Sequence, residues 1–138
     1  MKRRCIIDGQ GGGIGSATIK KLRDVFEESI DIVALGTNAI ATAQMLKARA
    51  NRGASGENAI VQTIKNVDVI IGSISIIIAH AMMGEVTPKM AEAVAKSPAK
   101  KILLPLSQEN VEIAGLGKIP LPHLIETVVE KNLKIIKE

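Results

Sequence analysis

The chain has 138 residues, a single cysteine and a formal net charge of +4 at pH 7. A chain of this length buries most of its unfolded surface in one core, so we expect a single domain over residues 1–138. One cysteine excludes disulfide frameworks and cysteine-based metal sites, and it favours a reducing cytoplasm as the compartment. Because Cys5 lies in an apolar run, we expect it to be a buried core residue.

The charge pattern and the apolar segments also limit the partners. Basic residues lie among acidic neighbours, and the chain has no tryptophan or tyrosine and one phenylalanine. We therefore expect no nucleic-acid partner, because single strands need aromatic stacking platforms. The longest apolar stretch is far shorter than the roughly 20 residues that cross a bilayer, so we expect no membrane partner. The basic start, Met1 to Arg4, leads into a short strand and not into a targeting segment.

Strands and amphipathic helices alternate along the chain. Short apolar runs predict buried strands, and apolar residues at helical spacing predict helices that cover them. Strands are expected at 4–8, 31–35, 67–71, 101–106 and 110–114, with at most a short edge strand within 51–56. Helices are expected at 14–27, 39–48, 57–65, 88–96 and 122–136. Thr37-Asn38 and Thr87-Pro88 can cap the second and the fourth of these helices, and Arg23 falls on the solvated face of the first. This order predicts an α/β fold, a Rossmann-like three-layer αβα sandwich with a mainly parallel, doubly wound sheet.

The segment from Ile74 to Met83 is apolar on every side, and two structures suit it. We favour a helix, because Ser73 can cap it and Gly84 can end it, over a central buried strand. A helix of this kind has more apolar surface than one flank of a small sheet can cover. We therefore expect a homo-oligomer, with this segment in the interface.

A glycine-rich loop joins the first strand to the first helix, in the run IDGQGGGIG from Ile7 to Gly15. Main-chain N–H groups and the positive end of the helix dipole favour an anion at such a turn. Glycines let the main chain approach that anion closely, although a tight turn without a ligand is the alternative. The residues expected to hold the phosphate or pyrophosphate of a nucleotide are Asp8, Gly9, Gln10, Gly11, Gly12, Gly13, Ile14 and Gly15.

Gly9, Gly13, Ile14 and Gly15 reproduce the GxxxGIG spacing of the short-chain dehydrogenases/reductases. The chain resembles that family through its first helix and second strand, which implies a bound NAD or NADP. Asp8 stands where the family usually has threonine. Since the chain has no tyrosine, the Tyr-x-x-x-Lys chemistry of the family does not carry over.

A second resemblance covers nearly the full length. This resemblance rests on the sequence segments IDGQGGGIG, ALGTNAIATAQMLK, SGENAI, TPKMAEAVA and KILLPL. In these runs the chain is similar to a family of small bacterial proteins described as a domain of unknown function. This resemblance implies a compact stand-alone protein and supplies no activity.

The end of the second strand should meet the adenosine ribose of a dinucleotide. The acidic residue that usually bonds this ribose, about 20 residues after the loop, is missing, and Gly36, Thr37 and Asn38 occupy its place. Thr37 and Asn38 can hydrogen-bond a ribose or a 2′-phosphate, and Thr37 also suits the N-cap of the next helix. NAD and NADP therefore both stay open. Basic residues that would approach a 2′-phosphate are Lys47, Arg49 and Arg52.

Loops after the later strands should lie beside the glycine loop, because ligands of doubly wound sheets bind beyond the carboxyl ends of the strands. We expect Gly72 and Ser73 to contact the cofactor, with Ser75 and the run Ser107-Gln108-Glu109-Asn110 nearby. Caps and turns are the alternative for all of them. The run from Ser55 to Asn58 predicts a helix start with a weaker claim on the ligand.

Three ionisable side chains need separate interpretation. A carboxylate at Asp8 beside a pyrophosphate is unfavourable unless it accepts loop N–H groups, the favoured interpretation, or meets a bridging magnesium ion. His80 is predicted to be packed or interfacial, and His123 to be exposed. Neither has a cysteine or acidic partner at metal-ligand spacing, so no metal site is expected.

The sequence thus predicts a nucleotide-binding protein that takes NAD or NADP, as an oxidoreductase of unknown substrate or as a ligand sensor. No acid, base or nucleophile is assigned. One alternative is a non-catalytic oligomeric regulatory or scaffold module that responds to a nucleotide. Another is a metal-dependent phosphotransfer enzyme that uses Asp8.

Overall fold

A five-stranded parallel sheet forms the centre of the molecule. The computed structural model describes residues 2–106 and 110–137. The sheet order is β3-β2-β1-β4-β5, and every neighbouring pair is parallel. From β1 the chain adds β2 and β3 on one side, and it then returns to add β4 and β5 on the other side of β1. The point between β1 and β4 is a topological switch point, which opens a crevice at the carboxyl ends of the strands. The strands are β1 (Arg4–Asp8), β2 (Ile32–Gly36), β3 (Arg52–Ser55), β4 (Val69–Ser73) and β5 (Lys100–Leu104).

Helices cover both faces of this sheet. One face packs against α1, α2, α5 and α6, and the other packs against α3 and α4. Alternate residues of the buried strands supply the two faces, so Ile6 joins the first core and Cys5 and Ile7 join the second. The α/β sandwich predicted from the sequence is confirmed. The helices are α1 (Gly13–Phe26), α2 (Ala39–Lys47), α3 (Glu57–Thr63), α4 (Pro88–Lys96), α5 (Leu121–Lys131) and α6 (Leu133–Lys137).

Several local predictions are confirmed by capping and burial. Asn38 begins α2 by accepting a hydrogen bond from the Ala41 N–H, and Thr87 begins α4 by accepting one from the Met90 N–H. β3 is an edge strand whose side chains are mostly exposed. Cys5 is fully buried in the core, and burial raises the pKa of its thiol. No helix in the described ranges is both long and apolar enough to span a membrane.

The helix predicted for Ile74 to Met83 is wrong, and so is the alternative strand. A short 3₁₀ turn, Ile74–Ile77, is followed by a turn region in which His80, Met82 and Met83 have positive φ angles. A right-handed helix cannot continue through such residues. Most of the apolar side chains pack against the second core, and Met83 is the large one left exposed. The apolar surface that suggested an oligomer interface is therefore largely covered, and the homo-oligomer stays a prediction.

Two predictions near the carboxyl end are also corrected. Val111 forms an isolated bridge, and the strand expected over residues 110–114 does not form. The last helix is interrupted at Asn132, which ends α5 with non-helical main-chain angles. Its side-chain amide donates a 2.7 Å hydrogen bond to the Val128 carbonyl. A side chain that bonds the main chain in this way favours a helix end over a helix interior.

Arg23 contradicts the prediction that it lies on the solvated face of α1, because it is 1% exposed. Its guanidinium donates to the carbonyls of Arg49, Glu27 and Ile30 at 2.9 Å each. It also donates at 2.7 Å to the side-chain oxygen of Asn51, which accepts the Ile32 N–H as well. The residue therefore joins the end of α1 to the start of β2 and to the segment after α2.

Replacing Arg23 with methionine should keep most of the apolar packing while leaving these buried oxygens without donors. We expect the free energy of unfolding to fall by about 2–4 kcal/mol, because unsatisfied buried acceptors keep their desolvation cost. Urea unfolding measures the change. The matched control is Arg52→Met, which removes an exposed ion pair with Asp31 and should cost about 1 kcal/mol or less. Equal losses in the two variants would contradict a structural role for Arg23.

Candidate functional site

The loop after β1 lies at the carboxyl edge of the sheet, beside the end of β2. The Gly12 N–H donates to the Gly9 carbonyl at 2.9 Å, which closes a tight turn before α1 begins. Gly12 has a φ angle of 75° in this turn, a conformation that favours glycine. The Thr37 N–H donates to the Asp8 carbonyl at 3.0 Å. The structure thus brings the predicted glycine loop and the predicted Thr37–Asn38 segment together.

Asp8 is buried beneath this loop and is 4% exposed. One carboxylate oxygen accepts the Gly9 N–H at 2.8 Å, and the other accepts the Gly15 N–H at 2.7 Å. Burial raises the pKa of Asp8, while the N–H groups of Gly15, Gly9 and Ile14 lower it and the charge of Glu85 raises it further. The carboxylate therefore caps the first turn of α1 from inside the protein, which is the interpretation that the sequence favoured.

The glycines of the loop fall into two groups. A Cβ atom at Gly15 would lie 2.5 Å from the Met45 sulfur and 3.0 Å from the Asp8 Cβ, so packing requires glycine there. By contrast, a Cβ atom at Gly11 or Gly13 would meet no atom within 4 Å, and neither residue has a positive φ angle. The fold itself therefore does not require glycine at Gly11 or Gly13.

Gly11 and Gly13 also have main-chain N–H groups without a hydrogen-bond acceptor. Within residues 2–106 and 110–137, the N–H groups of Gly11 and Gly13 make no hydrogen bond. Gly13 begins α1, Gly11 lies two residues before it, and both are exposed. N–H groups in the first turn of a helix have no partner inside the helix and face an external acceptor. This part of the loop is therefore open to an anion.

Glu85 reaches this edge of the sheet from a turn that is distant in sequence, and no sequence pattern predicted it as a site residue. Its Oε1 accepts the Gln10 N–H at 2.7 Å, the Thr37 hydroxyl at 2.6 Å and the Asn38 side-chain amide at 2.9 Å. Burial alone would raise the pKa of Glu85, but these hydrogen bonds outweigh it, and the pKa lies below its usual value. The side chain therefore joins the glycine loop to the end of β2 as a carboxylate.

A hydrogen-bonded turn over residues 80–86 holds Glu85 in this position. The His80 N–H donates to the Val86 carbonyl at 2.6 Å, and the Val86 N–H donates to the Ala81 carbonyl at 3.1 Å. Ala81 and Val86 are buried in the second core. No local signal in the sequence indicates this arrangement, because the partners of Glu85 lie 47 to 75 positions away.

Other predicted residues at this edge have mixed outcomes. Thr37 donates to Glu85 and does not cap α2, since Asn38 fills that role. Gly36 ends β2 and Gly72 lies one residue before the end of β4, and a Cβ atom at either would meet main-chain atoms at 2.6 to 2.8 Å. Ser73 follows Gly72 and is 2% exposed, and its hydroxyl is buried with no hydrogen-bond partner in the described chain.

The remaining candidates lie outside the loop. Gly56 begins α3, where the Glu57 carboxylate accepts the Thr87 hydroxyl at 2.5 Å. Ser75 is buried behind the edge. The predicted run from Ser107 to Glu109 lies outside the described residues, and Asn110 is exposed. In the described ranges, no three His, Cys, Asp or Glu side chains come together as a metal site would need.

The basic residues expected near a 2′-phosphate lie at the wrong end of the sheet. Arg52 begins β3 and pairs with Asp31 before β2, and Arg49 pairs with Glu28 after α1. Lys47 ends α2, which starts beside the glycine loop. The prediction that they approach the ribose is therefore wrong. His80 is exposed and not packed, whereas His123 is exposed as predicted.

An open cleft of about 700 Å³ lies beyond the carboxyl end of β5. Its position is on the opposite side of β1 from the Glu85 contact, because β4 and β5 follow β1 in the sheet. Among the described residues, those that line the cleft follow β5 or belong to α5, and the glycine loop is not among them. Residues lining the cleft include Pro105, Leu106, Val111, Ile113 and Leu124.

Asp8→Ala should lower the free energy of unfolding by about 2 kcal/mol, because the buried Gly9 and Gly15 N–H groups lose their acceptor. Urea unfolding monitored by circular dichroism measures the loss. Asp24→Ala is the matched control, since Asp24 is an exposed aspartate on α1 and its replacement should change the stability by about 0.5 kcal/mol or less. If Asp8→Ala is as stable as this control, the Asp8 carboxylate does not stabilise the fold.

Comparison with known proteins identifies the family. The family model described as Domain of unknown function (DUF3842) matches residues 3–137. No curated protein and no solved structure matches the chain. The resemblance to a domain of unknown function is confirmed, whereas the likeness of the glycine loop to short-chain dehydrogenases/reductases stays a prediction. Since the match covers nearly the whole chain, the protein belongs to the family described as Domain of unknown function (DUF3842).

Proposed function

We propose that the protein binds an adenine dinucleotide, NAD or NADP, at the carboxyl edge of its sheet and acts as a ligand sensor. The observation that carries the proposal is the pair of bare glycines at the start of α1. Gly11 and Gly13 have free N–H groups and open space where side chains would otherwise be. A pyrophosphate needs both features, because it accepts main-chain N–H groups and tolerates no Cβ atom at close approach.

The extent of the site favours a dinucleotide over a mononucleotide. In doubly wound sheets, the adenosine half lies over the second strand, and the other half crosses the switch point. Here the end of β2 offers polar groups from Thr37, Asn38 and Glu85, and the cleft beyond β5 gives space on the other side. The loop of α1 lies between them. A dinucleotide has the length to use all three regions.

Two exposed apolar side chains, Ile40 and Met83, support an adenine position. Ile40 is 67% exposed and Met83 is 95% exposed. They lie two residues from Asn38 and Glu85, which bond each other at 2.9 Å. We name this pair the apolar flank. Adenine has two apolar faces, so an aliphatic and a thioether side chain are suitable contacts for it.

Unpartnered hydroxyls add to the polar groups near α1. Ile6 and Ile71 are partners in the register of β1 and β4. Asp8 and Ser73 each lie two residues further along these strands, so their side chains are on the same side of the sheet. The Ser16 hydroxyl in the first turn of α1 is also buried without a partner in the described chain. Buried hydroxyls without hydrogen bonds are uncommon in native proteins.

A binding role fits the carboxylates of the site better than the phosphotransfer alternative. Both oxygens of Asp8 accept main-chain N–H groups, and the side chain is buried. A magnesium ion keeps several of its water ligands, so a carboxylate that is 4% exposed beneath the glycine loop suits it poorly. Glu85 is likewise bonded to the Gln10 N–H. Groups held in this way favour ligand recognition over general base catalysis.

Replacing Gly13 with valine should abolish dinucleotide binding and leave the fold intact. The side chain would occupy open space that the pyrophosphate needs. Thermal unfolding with NAD, NADP, ATP, FAD and no nucleotide measures the effect. For the wild type we expect a stabilisation of about 2.7 kcal/mol when a dinucleotide is present at about 100 times its Kd. Gly13→Val should unfold at the wild-type temperature without nucleotide and show no shift with it.

Gly15→Val is the contrasting variant. Its side chain would collide with Met45 and Asp8, so it should destabilise the protein whether or not a nucleotide is present. A folded Gly13→Val variant with an unchanged ligand response would refute the assigned site. Hydride transfer to or from the bound nicotinamide would indicate an oxidoreductase. A nucleotide-dependent change of mass in solution would support the sensor and reveal its oligomer.

A further inference from the structure

The end of β2 lacks the acidic residue that a bound ribose usually requires, and another part of the chain supplies one. β2 ends at Gly36, and the following Thr37 and Asn38 are neutral. The carboxylate of Glu85 lies 2.6 Å from the Thr37 hydroxyl and 2.9 Å from the Asn38 amide. A negative charge is therefore restored at the end of β2 from a turn between β4 and α4.

We infer that Glu85 recognises the adenosine ribose and makes the protein selective for NAD over NADP. The inference rests on the proposed dinucleotide site. In proteins of this architecture, a carboxylate after the second strand accepts hydrogen bonds from the ribose hydroxyls. Glu85 supplies the same chemistry from a different place in the sequence. A 2′-phosphate at that position would instead face a carboxylate of the same sign.

The hydrogen bonds of Glu85 leave part of the carboxylate available to a ribose. Its three protein donors all bond Oε1. Within the described ranges, Oε2 accepts no hydrogen bond from the protein. A carboxylate has about four lone-pair sites over its two oxygens, and a ribose diol offers two hydroxyl donors. The side chain can therefore keep its contacts with the loop and β2 while it accepts a ribose hydroxyl.

The turn that holds Glu85 contains strained main-chain conformations, and this strain indicates that the turn keeps one fixed conformation. Met82 and Met83 have φ angles of 57° and 56°, and they precede Gly84 at 90°. Left-handed angles at residues other than glycine persist when the surrounding structure holds them. The buried Ala81 and Val86 on either side provide this support. The carboxylate is thus presented by an anchored turn, as selective recognition of a hydroxyl pair requires.

Charge supports selectivity as well as position. After burial, the charge of Glu85 also raises the pKa of Asp8, and Glu85 contacts the loop that covers Asp8 through the Gln10 N–H. Arg49 and Arg52 form ion pairs near the amino ends of the strands, away from Glu85. A 2′-phosphate carries more negative charge than a ribose hydroxyl, so its transfer to this environment costs more.

Titration calorimetry with NAD and with NADP tests the inference on the wild type and on Glu85→Gln. We expect the wild type to bind NAD at least about tenfold more tightly than NADP, because NAD gains a hydrogen bond from its ribose hydroxyl to the charged Glu85 and NADP does not. Glu85→Gln should weaken NAD binding about tenfold and should strengthen NADP binding, because the repulsion of the 2′-phosphate is removed, so the preference for NAD over NADP becomes smaller. Glu92→Gln is the control, because Glu92 is exposed on α4, and it should bind as the wild type does. Thermal unfolding without nucleotide checks that both variants are folded.

The outcomes separate this inference from the function on which it rests. If the wild type binds neither dinucleotide, the proposed site itself fails. If it binds both with equal affinity, or if Glu85→Gln weakens both equally, the dinucleotide site stands and ribose recognition by Glu85 is wrong. Tighter binding of both by Glu85→Gln would show that Glu85 obstructs the site, which also overturns the inference.

Discussion

A buried carboxylate at the end of the central strand organises the amino-terminal half of the molecule. Asp8 accepts the N–H groups of Gly9 and Gly15, so it holds both ends of the glycine loop. The turn between them has little freedom, because Gly12 must also bond the Gly9 carbonyl. Ionising a buried carboxyl group is unfavourable unless N–H donors surround it. The fold thus uses part of the positive end of α1 internally and leaves the remaining donors, at Gly11 and Gly13, to face outwards.

Glu85 extends the same arrangement to the neighbouring strand. Where Asp8 fixes the loop from below, Glu85 joins the loop at Gln10 to the end of β2 at Thr37. Parallel strands bring the carboxyl ends of β1, β2 and β4 to one edge, so residues far apart in sequence meet there. The Glu57 contact with Thr87 ties the Glu85 segment to α3 as well. The carboxyl edge of the sheet is therefore held by side-chain hydrogen bonds in addition to the ladder of the sheet.

Local patterns predicted the parts of this structure that local physics decides. Apolar runs identified four of the five strands closely, and Asn38 and Thr87 could be recognised as caps from their positions. Hydrophobic periodicity does not register positive φ angles, so the segment from Ile74 to Met83 looked like a helix. Arg23 looked solvated because its acceptors come from other elements. Glu85 was missed for the same reason, since tertiary contacts alone bring it to the glycine loop.

The two carboxylates also determine where binding energy for a nucleotide must come from. Asp8 and Glu85 both lower the electrostatic potential near the loop, which opposes the approach of a pyrophosphate. The free N–H groups of Gly11 and Gly13 offset only part of this repulsion, because Asp8 already uses other donors of the first turn. Contacts away from the phosphates must then supply the remainder. In the proposed dinucleotide site, the apolar flank and Glu85 are suited to do so, because both would contact the adenosine half of the ligand. The proposed site should therefore prefer a nucleotide over a bare phosphate, owing to the same charge that fixes the loop.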